Sequence, residues 1–195
     1  MALAPVLLAL ALSAPRPPAP APASPATPSP SEAAPSADVR EQVSAYLGAI
    51  HEPVPPASFR ALGPGAEDAL ADFARSDPLP LRRVRALEAL AGLGGPRAVQ
   101  VHREVLAGPA PREVRRGAAR GLGRLLGPGA PATLGPVLER DRDPAVRAAA
   151  AEALARAAPG EGCARVRARA KVDAEATRLR HALEECDRQA GPPGR

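Results

Sequence analysis

The sequence predicts an all-α fold: a right-handed α-solenoid of helical pairs, preceded by a disordered Pro-rich segment. Two observations carry this prediction. The chain is repetitive, because Leu90, Leu122 and Leu154 are evenly spaced and LGPGA at 62–66 recurs after two such intervals, at 126–130. We call the interval from Leu90 to Leu122 the repeat period. Each unit also carries an apolar stripe at helical spacing, whereas the β-branched alternation typical of strands is absent.

The segment 1–13 reads MALAPVLLALALS, which is typical of a signal peptide. It is shorter than the about 20 apolar residues that a membrane-spanning helix requires. The small residues Ala11 and Ser13 suit signal peptidase, and we expect cleavage after Ser13, although no Lys or Arg precedes the apolar run. We therefore expect a periplasmic or extracellular protein with no transmembrane span after cleavage. The alternative is a disordered, Ala-rich N-terminus on a cytosolic protein.

The segment 14–37 consists almost entirely of Pro, Ala, Ser and Thr. Such a stretch favours extended polyproline II and cannot build a core, so we interpret it as a disordered linker. The residues 38–189 are enough for one domain with a substantial core, and we expect 190–195 to be a short disordered tail. Within the domain we expect a helix at 38–50 to close the N-terminal end and a helix at 174–188 to close the C-terminal end.

The charge of the chain gives little support to nucleic-acid binding. The formal net charge is +5 and 25 of the 26 basic residues are Arg, Lys171 being the exception. So uniform a choice, beside so much Ala, Gly and Pro, is typical of GC-rich coding. Only three aromatic residues are present, Tyr46, Phe59 and Phe73, whereas proteins that bind single strands use aromatic side chains as stacking platforms.

Each repeating unit is predicted to contain a first helix, a Gly-Pro break, a second helix and an Asp/Pro turn. Val146, Ala150 and Leu154 form an apolar stripe on one face of a first helix. Asp143 and Pro144 start that helix, because Asp accepts free N–H groups and Pro suits the first helical position. Gly-Pro pairs end the first helices at equivalent places: 63–64, 95–96 and 127–128.

The run DPAVRAAAAEAL at 143–154 resembles the D-P-x-V-R-x-x-A-x-x-A-L signature of short HEAT-like repeats, of the kind grouped with the phycobilisome-lyase HEAT-like repeats. The unit beginning at Arg112 keeps most of this pattern but has Gly121 where the family has Ala. The unit beginning at Pro80 has Arg82 where the family has Val. The resemblance covers about 59–158. It implies a solenoid and an interaction role, and no lyase activity, because such repeats serve many unrelated proteins.

The resemblance also implies two structural features. Solenoids of this kind present a concave face lined by the second helices, here 66–75, 97–107, 130–140 and 164–172. The Arg early in each first helix pairs with an Asp of a neighbouring unit and so forms a ladder. The ladder arginines are Arg83, Arg115 and Arg147, and their candidate partners are Asp77, Asp141 and Asp143. The alternative is a line of guanidinium groups presented to an anionic ligand.

The chain has two cysteines, Cys163 and Cys186. We predict two short helices between them, 164–172 and 174–188, turning near Asp173, which sets the cysteines nearly level at the open end of a hairpin. In an exported protein a disulfide is then expected. Its closed loop stabilises by roughly 3 kcal/mol through chain entropy. The alternative is two free buried thiols.

The sequence shows no constellation that supports catalysis. The three histidines, His51, His102 and His181, have no metal-ligand spacing with one another or with the cysteines. No nucleophilic triad and no phosphate-cradling Gly motif is recognisable, so we expect no enzyme activity, no cofactor and no metal. The predicted function is a non-enzymatic protein-binding or scaffolding module with an unidentified protein partner.

Two alternatives stay open. One is a nucleic-acid backbone binder with a basic concave face, which the pI of 10.4 permits but which requires a cytosolic protein. The other is an accessory subunit of an enzyme complex. The sequence leaves the oligomeric state undetermined.

Overall fold

The computed structural model describes residues 37–49, 54–172 and 176–191. The prediction of an all-α solenoid is confirmed, since every secondary-structure element in these residues is helical. The proposed signal peptide and linker lie outside the described residues, except for Ala37. The helices are α1 Ala37–Gly48, α2 Pro56–Ala61, α3 Gly65–Ser76, α4 Pro80–Leu93, α5 Gly95–Ala107, α6 Arg112–Leu126, α7 Ala130–Arg140, α8 Pro144–Ala157, α9 Glu161–Val172 and α10 Ala176–Ala190. A short 3₁₀ turn, Gly127–Gly129, joins α6 to α7.

The helices form stacked pairs. In each pair a first helix (α4, α6 or α8) packs on the second helix that follows it (α5, α7 or α9). The first helices also pack side by side, α6 between α4 and α8. No helix in the described part of the chain is both long and apolar enough to cross a membrane.

The turns follow the local chemistry of the sequence. Asp143 caps α8, because its Oδ1 accepts a hydrogen bond from the N–H of Ala145 at 2.8 Å, and Pro144 occupies the first helical position. Gly94 and Gly127 end α4 and α6 with φ of +80° and +49°. An L side chain rarely adopts such a conformation, which explains why glycine stands at both breaks.

Small residues bring the first helices together. Ala86, Ala118 and Ala150 are fully buried at equivalent positions. A Cβ placed on Gly123 of α6 would come within 2.8 Å of the Cβ of Ala153 on α8, closer than real side chains approach. The Ala/Gly-rich first helices therefore pack at close range, and each unit buries its apolar stripe only against its neighbours.

Helix α10 differs from the predicted closing cap. It runs from Ala176 to Ala190 and packs on α8 as well as on α9. Its buried Ala182 and Cys186 lie one repeat period after Ala150 and Leu154. Helix α10 therefore takes the place of a first helix, after those of the units that begin at α2, α4, α6 and α8. The repeat period was difficult to see there because Cys replaces the repeated Leu.

Candidate functional site

The second helices α3, α5, α7 and α9 form one face of the array, which we call the second-helix face. Ion pairs join neighbouring helices on this face. Arg97 contacts Asp68 at 3.0 Å, Arg75 contacts Glu104 at 2.8 Å, and Arg165 contacts Glu139 at 3.4 Å. These pairs are partly exposed to solvent, so each contributes little to stability. They neutralise much of the positive charge on the face.

The interval between α5 and α7 is different, because a groove of about 780 Å³ lies there. Arg103 of α5 donates a hydrogen bond from its Nη2 to the Oγ1 of Thr133 on α7, at 3.2 Å. The groove has apolar walls from Leu106, Pro109, Pro136 and Val137. Its size falls in the range of pockets that bind ligands.

The rim of the groove carries positive charge. Arg103, Arg140 and Arg142 are all at least partly exposed there. Among the described residues that line the groove, Asp141 supplies the carboxylate, and it is already paired with Arg115. The Nη2 of Arg140 also lies 3.9 Å from the Oε2 of Glu139. The remaining excess of positive charge at the rim attracts acidic groups.

The predicted ladder arginines occupy equivalent positions in the first turns of α4, α6 and α8. The Nε of Arg83 donates to the carbonyl of Ala74 at 3.0 Å, and the Nε of Arg115 donates to the carbonyl of Leu106 at 3.1 Å. Each carbonyl lies nine residues before its arginine. Arg147 instead donates from Nη1 to the carbonyl of Asp141 at 2.6 Å.

The three candidate aspartates have three different roles. Asp141, in the Asp/Pro turn that ends the unit of Arg115, forms an ion pair with Arg115 of α6. Asp77 contacts Arg82 at 3.4 Å. Burial lowers the pKa of Arg83, and the nearby charge of Asp77 opposes this effect. Asp143 is the N-cap of α8. Of the predicted ladder residues, Arg115 and Asp141 are thus joined by an ion pair, which we call a rung.

Asp77 and Asp141 also shape the turns in which they lie. The Oδ1 of Asp77 accepts from the N–H of Leu79 at 2.8 Å, and the Oδ1 of Asp141 accepts from the N–H of Asp143 at 2.9 Å. This bond to the N–H two residues on is the Asx turn. Each carboxylate therefore fixes the entry to the next first helix while its other oxygen faces an arginine.

The histidines show no shared site in the described part of the chain. His102 is fully buried, its Nδ1 lies 2.7 Å from the carbonyl of Ala98, and its Nε2 has no hydrogen-bond partner. Burial lowers the pKa of His102, and the nearby charge of Arg124 acts in the same direction. His181 is exposed on α10, and His51 lies outside the described residues. Within the described ranges no three His, Cys, Asp or Glu side chains are grouped to hold a metal ion.

The structure joins Cys163 and Cys186 by a disulfide bond. Cys163 lies in the first turn of α9 and Cys186 near the end of α10, with their Cα atoms 5.5 Å apart. Both side chains are buried. The bond therefore fixes the second helix α9 to α10, at the C-terminal end of the described array.

The rim arginines and Thr133 were not singled out from the sequence. The ranges 97–107 and 130–140 on the predicted binding side contain several of the groove residues, but Arg142 and Pro109 lie in turns outside them. The excess of Arg over Lys is typical of GC-rich coding, so it does not indicate which arginines take part in binding. The positive charge at the rim of the groove depends on which residue of the neighbouring helix faces each arginine. This is decided by tertiary packing and cannot be read from the sequence.

The comparisons with known proteins point to one family. A family model described as HEAT repeats matches residues 67–155 and, in a second match, residues 103–186. Together the two matches extend from α3 to α10. No curated protein and no solved structure matches the chain.

Proposed function

Because the chain belongs to the HEAT repeat family, whose members are generally protein-interaction scaffolds, we propose that it is a non-enzymatic protein-binding module whose binding site is the groove between α5 and α7. The observation that carries this proposal is the groove itself. It combines an apolar wall with three rim arginines, whereas the neighbouring intervals of the second-helix face are bridged by ion pairs.

Within the family we assign the repeats to the phycobilisome-lyase HEAT-like type. This assignment is supported by the signature at 143–154 and by the short repeat period. It describes the type of repeat and implies no lyase activity, because related repeats serve many unrelated functions.

The partner is a protein segment with both apolar and acidic side chains. Its apolar side chains would pack against Leu106, Pro136 and Val137, and its carboxylates would pair with the rim arginines. Charge complementarity of this kind gives specificity and a fast association rate. If the chain is an accessory subunit of an enzyme complex, the enzyme would bind in the same groove. The accessory-subunit alternative therefore differs from this proposal only in the identity of the partner.

The pattern of charges favours a protein over a nucleic acid. A backbone binder needs arginines or lysines that follow successive phosphates. On the second-helix face, Arg75, Arg97 and Arg165 are instead paired with carboxylates on either side of the groove. The positive potential is therefore local, and it fits a short acidic segment better than a continuous duplex.

We propose that the protein is exported and acts in the periplasm or outside the cell. The apolar run at 1–13 supports this proposal, as does the Pro-rich segment that follows it as a tether. The disulfide between Cys163 and Cys186 is consistent with an oxidising compartment.

Photo-cross-linking tests the groove. Pro136 lies in the groove and is exposed, and Pro128 is an exposed proline in the turn before α7, outside the groove lining. With p-benzoylphenylalanine at Pro136, we expect one discrete adduct in the compartment where the protein resides. The same probe at Pro128 should give none, and the Arg103→Glu, Arg140→Glu double variant should abolish the adduct. Equal adducts at both positions, or an adduct that survives the double variant, would contradict the proposed site.

Intact mass spectrometry of the natively expressed protein tests export. We expect a mass that lacks the segment 1–13, with two hydrogens missing until the protein is reduced. A full-length mass with two free thiols would contradict export and would make the cytosolic, nucleic-acid-binding alternative the next one to test.

A further inference from the structure

Arg83 and Arg115 have the same place in successive units but different partners. Both lie in the first turn of a first helix, one repeat period apart, and both donate from Nε to the carbonyl nine residues earlier. Arg115 then forms an ion pair with Asp141, which lies 26 residues further along the chain. The guanidinium of Arg115 thus has a carbonyl partner at its Nε and a carboxylate partner at its Nη2.

Within the described ranges of the chain, Arg83 has no corresponding rung. The position as far beyond Arg83 as Asp141 is beyond Arg115 is Pro109, which has no charge and no side-chain acceptor. Asp77 is the nearby carboxylate, but it contacts Arg82 and accepts the N–H of Leu79. Burial lowers the pKa of Arg83, and the charge of Asp77 offsets this effect only in part. Arg83 is therefore half-buried and lacks, among the described residues, the ion pair with an acidic side chain that Arg115 has.

A cleft of about 240 Å³ adjoins Arg83, and its lining includes Arg75, Glu104, Pro109 and Ala110. This volume lies below the roughly 300 Å³ at which pockets for small molecules begin, so the cleft suits a single side chain. Gly108 and Pro109 line both this cleft and the groove between α5 and α7. One extended segment can therefore lie in the groove and place a side chain against Arg83.

Glu104 does not supply the missing charge, although it lines the cleft. Its carboxylate accepts from Arg75 at 2.9 Å and from Gln100 at 2.8 Å. The bond from Arg75, together with that from Gln100, lowers the pKa of Glu104. The carboxylate is thus ionised and committed to its own helix and to α3.

We propose that Arg83 binds a carboxylate of the partner protein, from an Asp or Glu side chain that takes the place Asp141 takes against Arg115. The proposal rests on the protein-binding function proposed above and specifies the chemistry of the partner: an acidic segment that reaches across Pro109. A carboxylate in this position would give the unit of Arg83 the rung that the chain itself builds in the unit of Arg115.

Fluorescence anisotropy with a labelled hexaglutamate peptide tests the proposal, with labelled hexaglutamine as the uncharged probe. We expect hexaglutamate to bind and hexaglutamine not to bind. Arg83→Gln should weaken binding about tenfold, the size of a lost charge-assisted hydrogen bond. Arg60→Gln is the matched control, because Arg60 is an exposed arginine on α2, away from the cleft.

Pro109→Asp provides a second variant that adds an acidic group instead of removing a basic one. An Asp at this position should pair with Arg83 as Asp141 pairs with Arg115, so we expect an undiminished melting temperature and about tenfold weaker peptide binding. No binding by the unmodified protein, unchanged binding in Pro109→Asp, or equal weakening in Arg60→Gln would overturn the proposal. So would tighter, Arg83-dependent binding of a short DNA duplex, because the natural anion would then be a phosphate.

The two proposals fail in different ways. If the cross-link at Pro136 forms normally but Arg83→Gln and Pro109→Asp leave hexaglutamate binding unchanged, the protein-binding function stands and the carboxylate site at Arg83 is wrong. If no cross-link forms at Pro136, the groove itself is wrong, whatever the peptide does.

Discussion

Arg115 and Asp141 form a buried ion pair between the first turn of α6 and the turn that precedes α8. Their side chains are only 8% and 7% exposed. Arg115 also donates to the carbonyl of Leu106 at the end of α5, and Asp141 accepts from the N–H of Asp143. The ion pair and these two hydrogen bonds together satisfy Arg115, Asp141, the carbonyl of Leu106 and the N–H of Asp143, and so link two successive units.

Removing one partner of this pair should destabilise the protein strongly. We expect Arg115→Ala to lower the free energy of unfolding by about 3–5 kcal/mol, because Asp141 would remain buried without a counter-charge. Urea denaturation measures the loss. Arg112→Ala is the control, since Arg112 pairs with Glu113 on the exposed surface and should leave the unfolding midpoint unchanged. Equal losses in the two variants would show that burial of the pair is unimportant.

The helical pairs could be predicted from the sequence because their causes are local. The Gly-Pro breaks, the Asp143 cap and the helical periodicity each act within one or two turns of helix. The ladder could be predicted only in part. Its arginines repeat in the sequence, but Pro109 stands where an aspartate is needed, and identical aspartates pair, cap or shape turns according to the helices around them.

The groove could not be predicted at the level of side chains. It lies between α5 and α7, whose facing residues Arg103 and Thr133 are 30 positions apart. Whether an arginine on the second-helix face is neutralised depends on the residue opposite to it on the next helix. Arg97 meets Asp68, whereas Arg103 meets Thr133. Composition alone cannot distinguish these two cases.

Gly121 should tolerate Ala only when His102 is also changed. A Cβ on Gly121 would overlap the Nε2 of His102, which explains why this unit has Gly where the family signature has Ala. We expect Gly121→Ala to lower the free energy of unfolding by about 1–3 kcal/mol through overpacking. In a His102→Ala background the same change should instead stabilise by about 0.5–1 kcal/mol, because Ala is the better helix former.

A double-mutant cycle followed by urea denaturation measures this coupling. The matched control is Gly129→Ala, because nothing lies within 4 Å of a Cβ placed on Gly129. That variant should behave alike in both backgrounds. Additive effects of the His102 and Gly121 changes would show that the two residues do not share one space.

The stability of the protein should fall in mild acid because of His102. Its pKa is lowered in the folded protein by burial, while in the unfolded chain it titrates near about 6.5. The unfolded chain therefore binds more protons as the pH falls below about 6.5, and stability is lost from there down through the folded pKa. Above about pH 6.5 the contribution is fully present.

Urea denaturation from about pH 8 to about pH 5 checks this prediction. We expect a loss approaching about 1.4 kcal/mol per pH unit from this one group, and a flatter profile in His102→Leu, which cannot be protonated. His181→Gln serves as the control, since His181 is exposed on α10. A profile of His102→Leu that parallels the unmodified protein would assign the acid sensitivity to other groups.

Reduction of the Cys163–Cys186 bond should loosen the C-terminal end of the array before the rest. The bond closes a loop with a sequence separation of 23, so chain entropy predicts a loss of about 3 kcal/mol. This corresponds to a fall of roughly 6–12 °C in melting temperature if the array unfolds as one unit. Reduction keeps both sulfur atoms in place, so it isolates the bond from the packing of the side chains.

Hydrogen exchange locates the effect. Helix α10 packs on α8 and α9 at the end of the described array, and a terminal repeat opens at lower free energy than an internal one. We therefore expect reductant to speed amide exchange in α9 and α10 while α6 stays protected. The Cys163→Ala, Cys186→Ala variant should show the amide exchange rates of the reduced protein, and these rates should not change when reductant is added. Unchanged exchange in α10 after reduction would mean that its packing on α8 and α9 holds this helix without the disulfide.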